Sequence, residues 1–162
     1  MPELYVLLKV ADGEYAVPAQ DVLQLESYSG STPVPGSPPH VEGVVQVRGR
    51  VLPVLSLRSL FGQAPEPPSF DTRIVVVRLG ARVVALLVDS SRHVLAIDPA
   101  KIQVAPGVIS EQSNGFIRAV AQLEQRLILL LDIPKILGQE STHDQPLALN
   151  GDDASRIRAL PG

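Results

Sequence analysis

The run Arg50–Gly62, RVLPVLSLRSLFG, returns 76 residues later as Arg126–Gly138, RLILLLDIPKILG. Each copy opens on arginine, passes through six or seven mostly aliphatic residues and closes on an apolar–glycine pair. The echo extends upstream with small gaps: the segment from Gly13, GEYAVPAQDVLQL, has a counterpart in GARVVALLVDSSRHVLAI from Gly80. Gly43 and Gly115 likewise precede corresponding apolar runs. A unit of roughly 70 residues repeated once constrains the fold before any single residue is read. It predicts two similar subdomains in tandem, a plan suited to holding two partners at once.

The unit is built from strands. About ten short segments rich in Val, Leu and Ile, from YVLLKV to RLILLLDI, are separated by turn residues, five to each half. Asp12-Gly13 and Leu79-Gly80 stand at equivalent hairpin turns, where glycine accepts a positive φ. Only RSLFG and PKILG read as single helical turns, ending at Gly62 and Gly138. Five short strands are too few for a sandwich and enough for a small barrel. The expected fold is therefore all-β, two similar five-stranded β-barrel subdomains packed side by side, with short helical turns. Their ranges are about 10–66 and about 70–138, within one domain over 1–138, and the proline-rich QAPEPPS forms the seam. Pro53 marks its strand as an edge or a bulge, because proline lacks the ladder donor. Residues 139–162 read as a polar, flexible tail with a short helix capped by Asp152 or Asp153.

Composition narrows the function. With 45% hydrophobic and 19% charged residues, the chain can pack a core and leaves surface for a partner to cover. No cysteine is present, so disulfides and thiolate metal sites are excluded, and a reducing cytoplasm is expected. No signal peptide and no bilayer-length apolar run is read. The net charge of −3 is uneven: residues 1–45 carry six acids and one base, residues 46–135 eleven bases and seven acids. Nine of those eleven bases are arginines scattered along strands, as at protein interfaces or on solvated strand faces. Neither a dense basic run nor an aromatic series points to nucleic acid; aromatic residues make up only 4%.

No catalytic constellation emerges. His40, His93 and His143 are far apart and form no ligand-spaced pair, so no metal or other cofactor is expected. There is no phosphate loop, dinucleotide fingerprint or nucleophile elbow. Asp89 before Ser90-Ser91 reads as a turn former rather than part of a nucleophile set. A small-ligand or single-strand-binding barrel and a hydrolase are the readings from other classes, each without a supporting motif. What stands out is the glycine–arginine segment Gly43–Val54, GVVQVRGRVLPV. Arg48 before Gly49 falls at a turn, where its guanidinium either tethers the loop or is presented to a partner.

At this segment the chain resembles the CheW family of chemotaxis coupling proteins. The resemblance covers about Tyr5 to Gly138. It rests on Gly13-Glu14-Tyr15-Ala16-Val17, Val22-Leu23-Gln24-Leu25, TPVPGSPPHVEG, GVVQVRG, VLPVLSLR, Thr72, Val88-Asp89, Val94 and LILLLDIPKIL, in that order. It implies two barrels around a shared hydrophobic core and a non-enzymatic adaptor in the cytoplasm, recruited to receptor clusters. The adaptor links the signalling tip of methyl-accepting chemoreceptors to the regulatory domain of a CheA-type histidine kinase. By this resemblance Val22, Gln24, Gly43, Arg48 and Val94 would face the receptor, and Gly49, Arg50 and Pro35 the kinase. Three positions depart from the family pattern. Gln24 replaces an acid expected to hold Arg48, Gln46 an asparagine, and Ser56 an aspartate. These losses raise the alternative of an accessory member that binds the receptor without recruiting kinase.

Overall fold

The computed structural model describes residues 2–138; the tail expectation for 139–162, with His143, lies outside the described residues. Eleven strands are found among the described residues. The first five are β1 (Glu3–Val10), β2 (Gly13–Pro18), β3 (Val22–Ser27), β4 (Val41–Val47) and β5 (Arg50–Ser56). They are followed by β6 (Arg73–Leu79), β7 (Arg82–Val88), β8 (Ser90–Ile97), β9 (Ile102–Val104), β10 (Ile117–Leu123) and β11 (Arg126–Leu131). Three short helices, α1 (Leu57–Leu60), α2 (Gly107–Gln112) and α3 (Ile133–Leu137), complete the described chain with single 3-10 turns at Ala19–Asp21 and Pro99–Lys101. Strand β9, with three residues, is too short to leave a periodic signal and was not expected.

The strands form two mixed sheets, ordered β8-β1-β2-β11-β10-β9 and β3-β6-β7-β5-β4. Neither sheet equals one half of the sequence. Hairpin β1–β2 is inserted among strands of the second half, and hairpin β6–β7 among strands of the first. The exchange is reciprocal and keeps register. Val54 of β5 lies opposite Ala85 of β7, while Leu130 of β11 lies opposite Ala16 of β2, both in parallel ladders. The sequence ranges 10–66 and 70–138 therefore do not trace the two sheets. The repeat is real, but each copy lends its first hairpin to the other. Nor are the barrels closed: β3 and β4 bound one sheet, β8 and β9 the other, and neither pair is joined by a ladder.

Exchange explains why the strands are apolar on both faces rather than alternating. From β1, Val6, Leu8 and Val10 enter a central cluster together with Leu55, Val75, Val77, Val84 and Leu86 of the other sheet. Their neighbours Tyr5 and Leu7 point the opposite way, into the six-stranded curl with Ala16, Ile128 and Leu130. The five-stranded curl holds Val54, Ile74, Val76 and Ala85. Two curled sheets each fill their own interior and share a third cluster between them. Each fully buried leucine or valine contributes about 1.5–3 kcal/mol over exposure, so the shared cluster fixes the sheets to one another.

Local signals were met with two corrections. The positive φ of the first hairpin belongs to Ala11 (53°), not Gly13; the equivalent Gly80 has 63°. Gly13 instead leaves room for Tyr15, whose ring a Cβ would meet within 3 Å. Pro53 is not on an edge, since β5 runs between β7 and β4. The ladder to β7 begins only at Val54, so the donor missing from Pro53 falls outside it. Helices α1 and α3 begin alike: Ser56 Oγ accepts from Ser59 N and Asp132 Oδ1 from Lys135 N, both at 3.1 Å. Serine at 56 thus keeps the capping role of the aspartate at 132 while leaving no charge at a buried site.

Polar contacts then lock the exchange asymmetrically. Arg58 of α1 donates Nε and Nη2 to Asp89, each at 2.9 Å, and Nη1 to the carbonyl of Ala64 at 2.6 Å. Asp89 Oδ2 also accepts the backbone N–H of Ala11 at 2.8 Å, at the tip of the lent hairpin. Asp89 is thus the hub of an inter-sheet latch, beyond the turn-forming role read from sequence. Its hydrogen bonds hold the Arg58 guanidinium above its ordinary pKa. Glu14 of β2 accepts Nε and Nη2 of Arg126 on β11, both at 3.0 Å, and this pairing lowers the pKa of its carboxyl.

Asp89→Ala strands the Ala11 N–H and leaves the half-buried Arg58 to the Ala64 carbonyl and Glu66, and is expected to cost about 2–3 kcal/mol in urea unfolding. Glu14 has its pKa lowered in the fold, so its contribution exists above the unfolded glutamate value of about 4.3 and disappears as pH falls through the folded value. Thermal melts of Glu14→Gln and the parent should accordingly differ at pH 7 and converge as the pH falls below the unfolded value and through the folded one.

Candidate functional site

The turn between β4 and β5 has two residues, Arg48 and Gly49, with φ of 51° and 82°. Both left-handed values make a tight hairpin turn in which Asn or Gly is the usual first residue. Arginine there is held against its preference, at a cost of about 1 kcal/mol. The equivalent turn carries Glu124 at φ 53°. The Arg48 side chain is 75% exposed, and its Nε lies 3.7 Å from Oε2 of Glu26 on β3. That same oxygen accepts Nε2 of Gln24 at 2.7 Å. The acid expected at position 24 is therefore supplied from position 26. Sequence reasoning missed Glu26, although its i+2 spacing from Gln24 puts both on one side of β3.

Arg48, Glu26, Gln46 and Tyr28 surround an opening of about 540 Å³ between β3 and β4, floored by Val45, Val47 and Ile74. Gly43 is buried beside it for a steric reason. Thr32 exchanges backbone hydrogen bonds with Val44 at 2.9 Å in both directions. A Cβ on Gly43, whose φ is 149°, would stand 2.2 Å from the Thr32 carbonyl oxygen. Val22 is half-buried at the start of β3 and packs on the central cluster. Val94 stands apart on β8, the edge of the other sheet, opposite Val6 and 56% exposed. Leu4, paired to Ala96 on the neighbouring strand, extends that apolar edge. Gly49, Arg50 and Pro35 are all exposed, and Val51 beside Arg50 adds an apolar side chain at 67% exposure.

Asp89, Ser91 and His40 are engaged in structure. Asp89 is held by Arg58 and the Ala11 N–H, while Ser91 Oγ donates to the Leu7 carbonyl at 2.8 Å. His40 Nδ1 is 2.6 Å from Ser59 Oγ, and His93 is exposed on β8. Among the described residues no group of three His, Asp or Glu side chains converges as metal ligands would. No helix there is long and apolar enough to cross a membrane. Surfaces rather than pockets of reactive groups distinguish the molecule.

The profile of the CheW-like domain matches residues 4–141. The chain belongs to the CheW family. Among its relatives, Chemotaxis protein CheW of Rhizobium meliloti (strain 1021) is 30% identical over 83% of this chain and 87% of its own length. Chemotaxis protein CheW of Bacillus subtilis (strain 168) is 28% identical over 86% of this chain and 90% of its own. The crystal structure of scaffolding protein TtCheW from Thermoanaerobacter tengcongensis superposes with a TM-score of 0.75 at 27% identity, covering 82% of this chain and 90% of that one. Like these, this CheW-like chain is a non-enzymatic scaffold of chemotaxis signal transduction, built on the curled two-sheet fold described above.

Gly43→Ala tests the close approach at Thr32. It should destabilise the CheW-like fold by at least about 2 kcal/mol, read by chemical denaturation. A crystal structure of the variant should show the 29–36 loop lifted from β4.

Proposed function

We propose that this chain couples methyl-accepting chemoreceptors to a CheA-type histidine kinase, in the cytoplasm at receptor clusters. The observation that carries the reading is the CheW-like domain match across nearly all of the described chain, 4–141. The receptor signalling tip, a helical hairpin, docks across the groove between the two sheets, meeting Val22 on one sheet and Val94 with Leu4 on the other. Gln24 and Arg48 shape the polar end of that groove, and the buried Gly43 lets the neighbouring loop lie close on β4. Buried apolar contacts supply most of the affinity and Arg48 fixes the docking angle. The regulatory domain of the kinase meets the β4–β5 turn and the loop before β4, through Gly49, Arg50, Pro35 and the exposed Val51. Holding both partners raises their effective concentration for one another and passes changes in receptor packing to the kinase.

Two observations favour this reading over an accessory member that binds receptors alone. The acid absent at position 24 is present at Glu26, within 3.7 Å of Arg48. Ser56 caps α1 as Asp132 caps α3, so its exchange for aspartate removes no contact that the cap requires. Two of the three departures from the family pattern, those at positions 24 and 56, are thus compensated within the fold.

Binding to each partner separately tests the proposal, using a receptor signalling-tip fragment and the kinase regulatory domain from the same cell. Both should bind the parent protein. Arg48→Glu should weaken receptor binding by more than about ten-fold while leaving the fold intact. Parent protein that binds the receptor fragment and fails to bind the kinase domain would overturn coupling in favour of the accessory role.

A further inference from the structure

Between α1 and β6 the chain runs outside both sheets. From Gln63 to Ser69 it makes no turn, bend or ladder, and every residue from Gly62 to Phe70 is exposed. The sequence dictates its course locally. Pro65, Pro67 and Pro68 fix their own φ at about −65°, and each pushes the residue before it, Ala64, Glu66 or Pro67, into extended backbone. Ala64 to Pro68 is thereby biased throughout to polyproline II, a helix that needs no hydrogen bonds of its own. Both ends of the segment are tied. Gln63 N donates to the Arg58 carbonyl at 2.8 Å, and Arg58 Nη1 donates to the Ala64 carbonyl at 2.6 Å. At the far end Ser69 N donates to Thr72 Oγ1 at 2.8 Å, and Arg73 Nη1 donates to the Phe70 carbonyl at 2.8 Å. The stretch between borders a 610 Å³ opening between the sheets. Phe70, on the second tie, is 92% exposed, whereas Phe61 and Phe116 pack into the central cluster.

We propose that Gln63–Phe70 is a preformed recognition strap: a polyproline II ridge, with Phe70 as its anchor, that docks in an aromatic-lined groove of a third protein, distinct from the receptor tip and the kinase domain. The chemistry of the strap specifies that groove. From Ala64 to Pro68 only Ala64 and Glu66 carry an N–H, so the strap cannot be read by strand addition, which needs regular backbone donors. The carbonyls of Pro65 to Pro68 accept no hydrogen bond among the described residues. A groove that takes them must offer donors and flat apolar faces together, as indole N–H and phenol O–H groups on aromatic rings do. The proline rings and Phe70 pack against those same faces. Because the strap is tied before it meets a partner, docking costs less conformational entropy than for a free peptide of the same sequence. A ring fixed in water by a hydrogen-bonded turn contributes nothing to its own core, and a partner's pocket is where its apolar area is recovered. The strap shares no residue with the receptor and kinase faces assigned above.

Photo-crosslinking followed by titration tests the inference. The full chain carrying Phe70→p-benzoylphenylalanine is irradiated in cells of its source, and the protein joined at position 70 is purified and titrated against the parent chain. Phe70→Ala should weaken that binding at least about ten-fold, and Pro67→Ala combined with Pro68→Ala about three- to ten-fold. Melting temperatures should match the parent, since these side chains are exposed. Absence of an adduct, or a purified adduct partner whose affinity ignores both variants, would overturn the strap. An adduct formed only with the receptor or the kinase would overturn the third partner. A readout on the free protein needs no partner: amide heteronuclear NOEs of Ala64, Glu66 and Phe70 should equal those of β6 and β7. Values typical of a freely moving loop would overturn the preformed ridge.

Discussion

Everything in this molecule hangs on the reciprocal loan of a hairpin. Strands β1 and β2 complete the sheet of the second half, and β6 and β7 complete the sheet of the first. The lent strands have two apolar faces, one for the interior of the host sheet and one for the cluster between sheets. Neither half can bury both faces alone. The two sheets share one apolar cluster for that reason, although the sequence reads as two copies. A rigid relation between the sheets follows, which a scaffold needs if two partners are to be held at a fixed geometry.

Around that symmetric core the polar contacts are asymmetric. The Arg58–Asp89 pair ties α1 to the tip of the first hairpin; the repeat partner of Arg58 is Pro134, which cannot make such a bond. The Glu14–Arg126 pair reinforces only the β2–β11 ladder. Equivalent turns end in Arg48 on one side and Glu124 on the other, with the same left-handed backbone and opposite charge. Duplication supplies the architecture, and divergence at a few polar positions makes the two ends different surfaces. A coupling protein requires that difference, because its partners are unlike.

How much was legible depended on the range of each interaction. Apolar strand runs, turn glycines and the helical turns after Leu57 and Ile133 are local, and they appear in the sequence as runs and spacings. Arg48 at a turn was readable because Gly49 follows it. Glu26 was not, since the two side chains are 22 positions apart and only the curl of the sheet makes them neighbours. The closure of Asp89 with Arg58 and the Ala11 N–H was equally hidden, and Asp89 read as a turn former. Gly43 was singled out for a partner face, whereas the nearest constraint on it is the Thr32 carbonyl of its own chain.

By itself, the sequence determined that this protein is a twice-repeated, strand-built unit, and its ordered motifs placed it among chemotaxis scaffolds. Those properties are written in composition, periodicity and order. Only the tertiary structure decided which copy each hairpin serves, that the curls remain open, and that the acid near Arg48 comes from position 26. Each of these turns on which apolar face finds a partner across the chain. Tandem and exchanged hairpins have the same pattern of apolar residues, so periodicity cannot tell them apart; the packing of three clusters can.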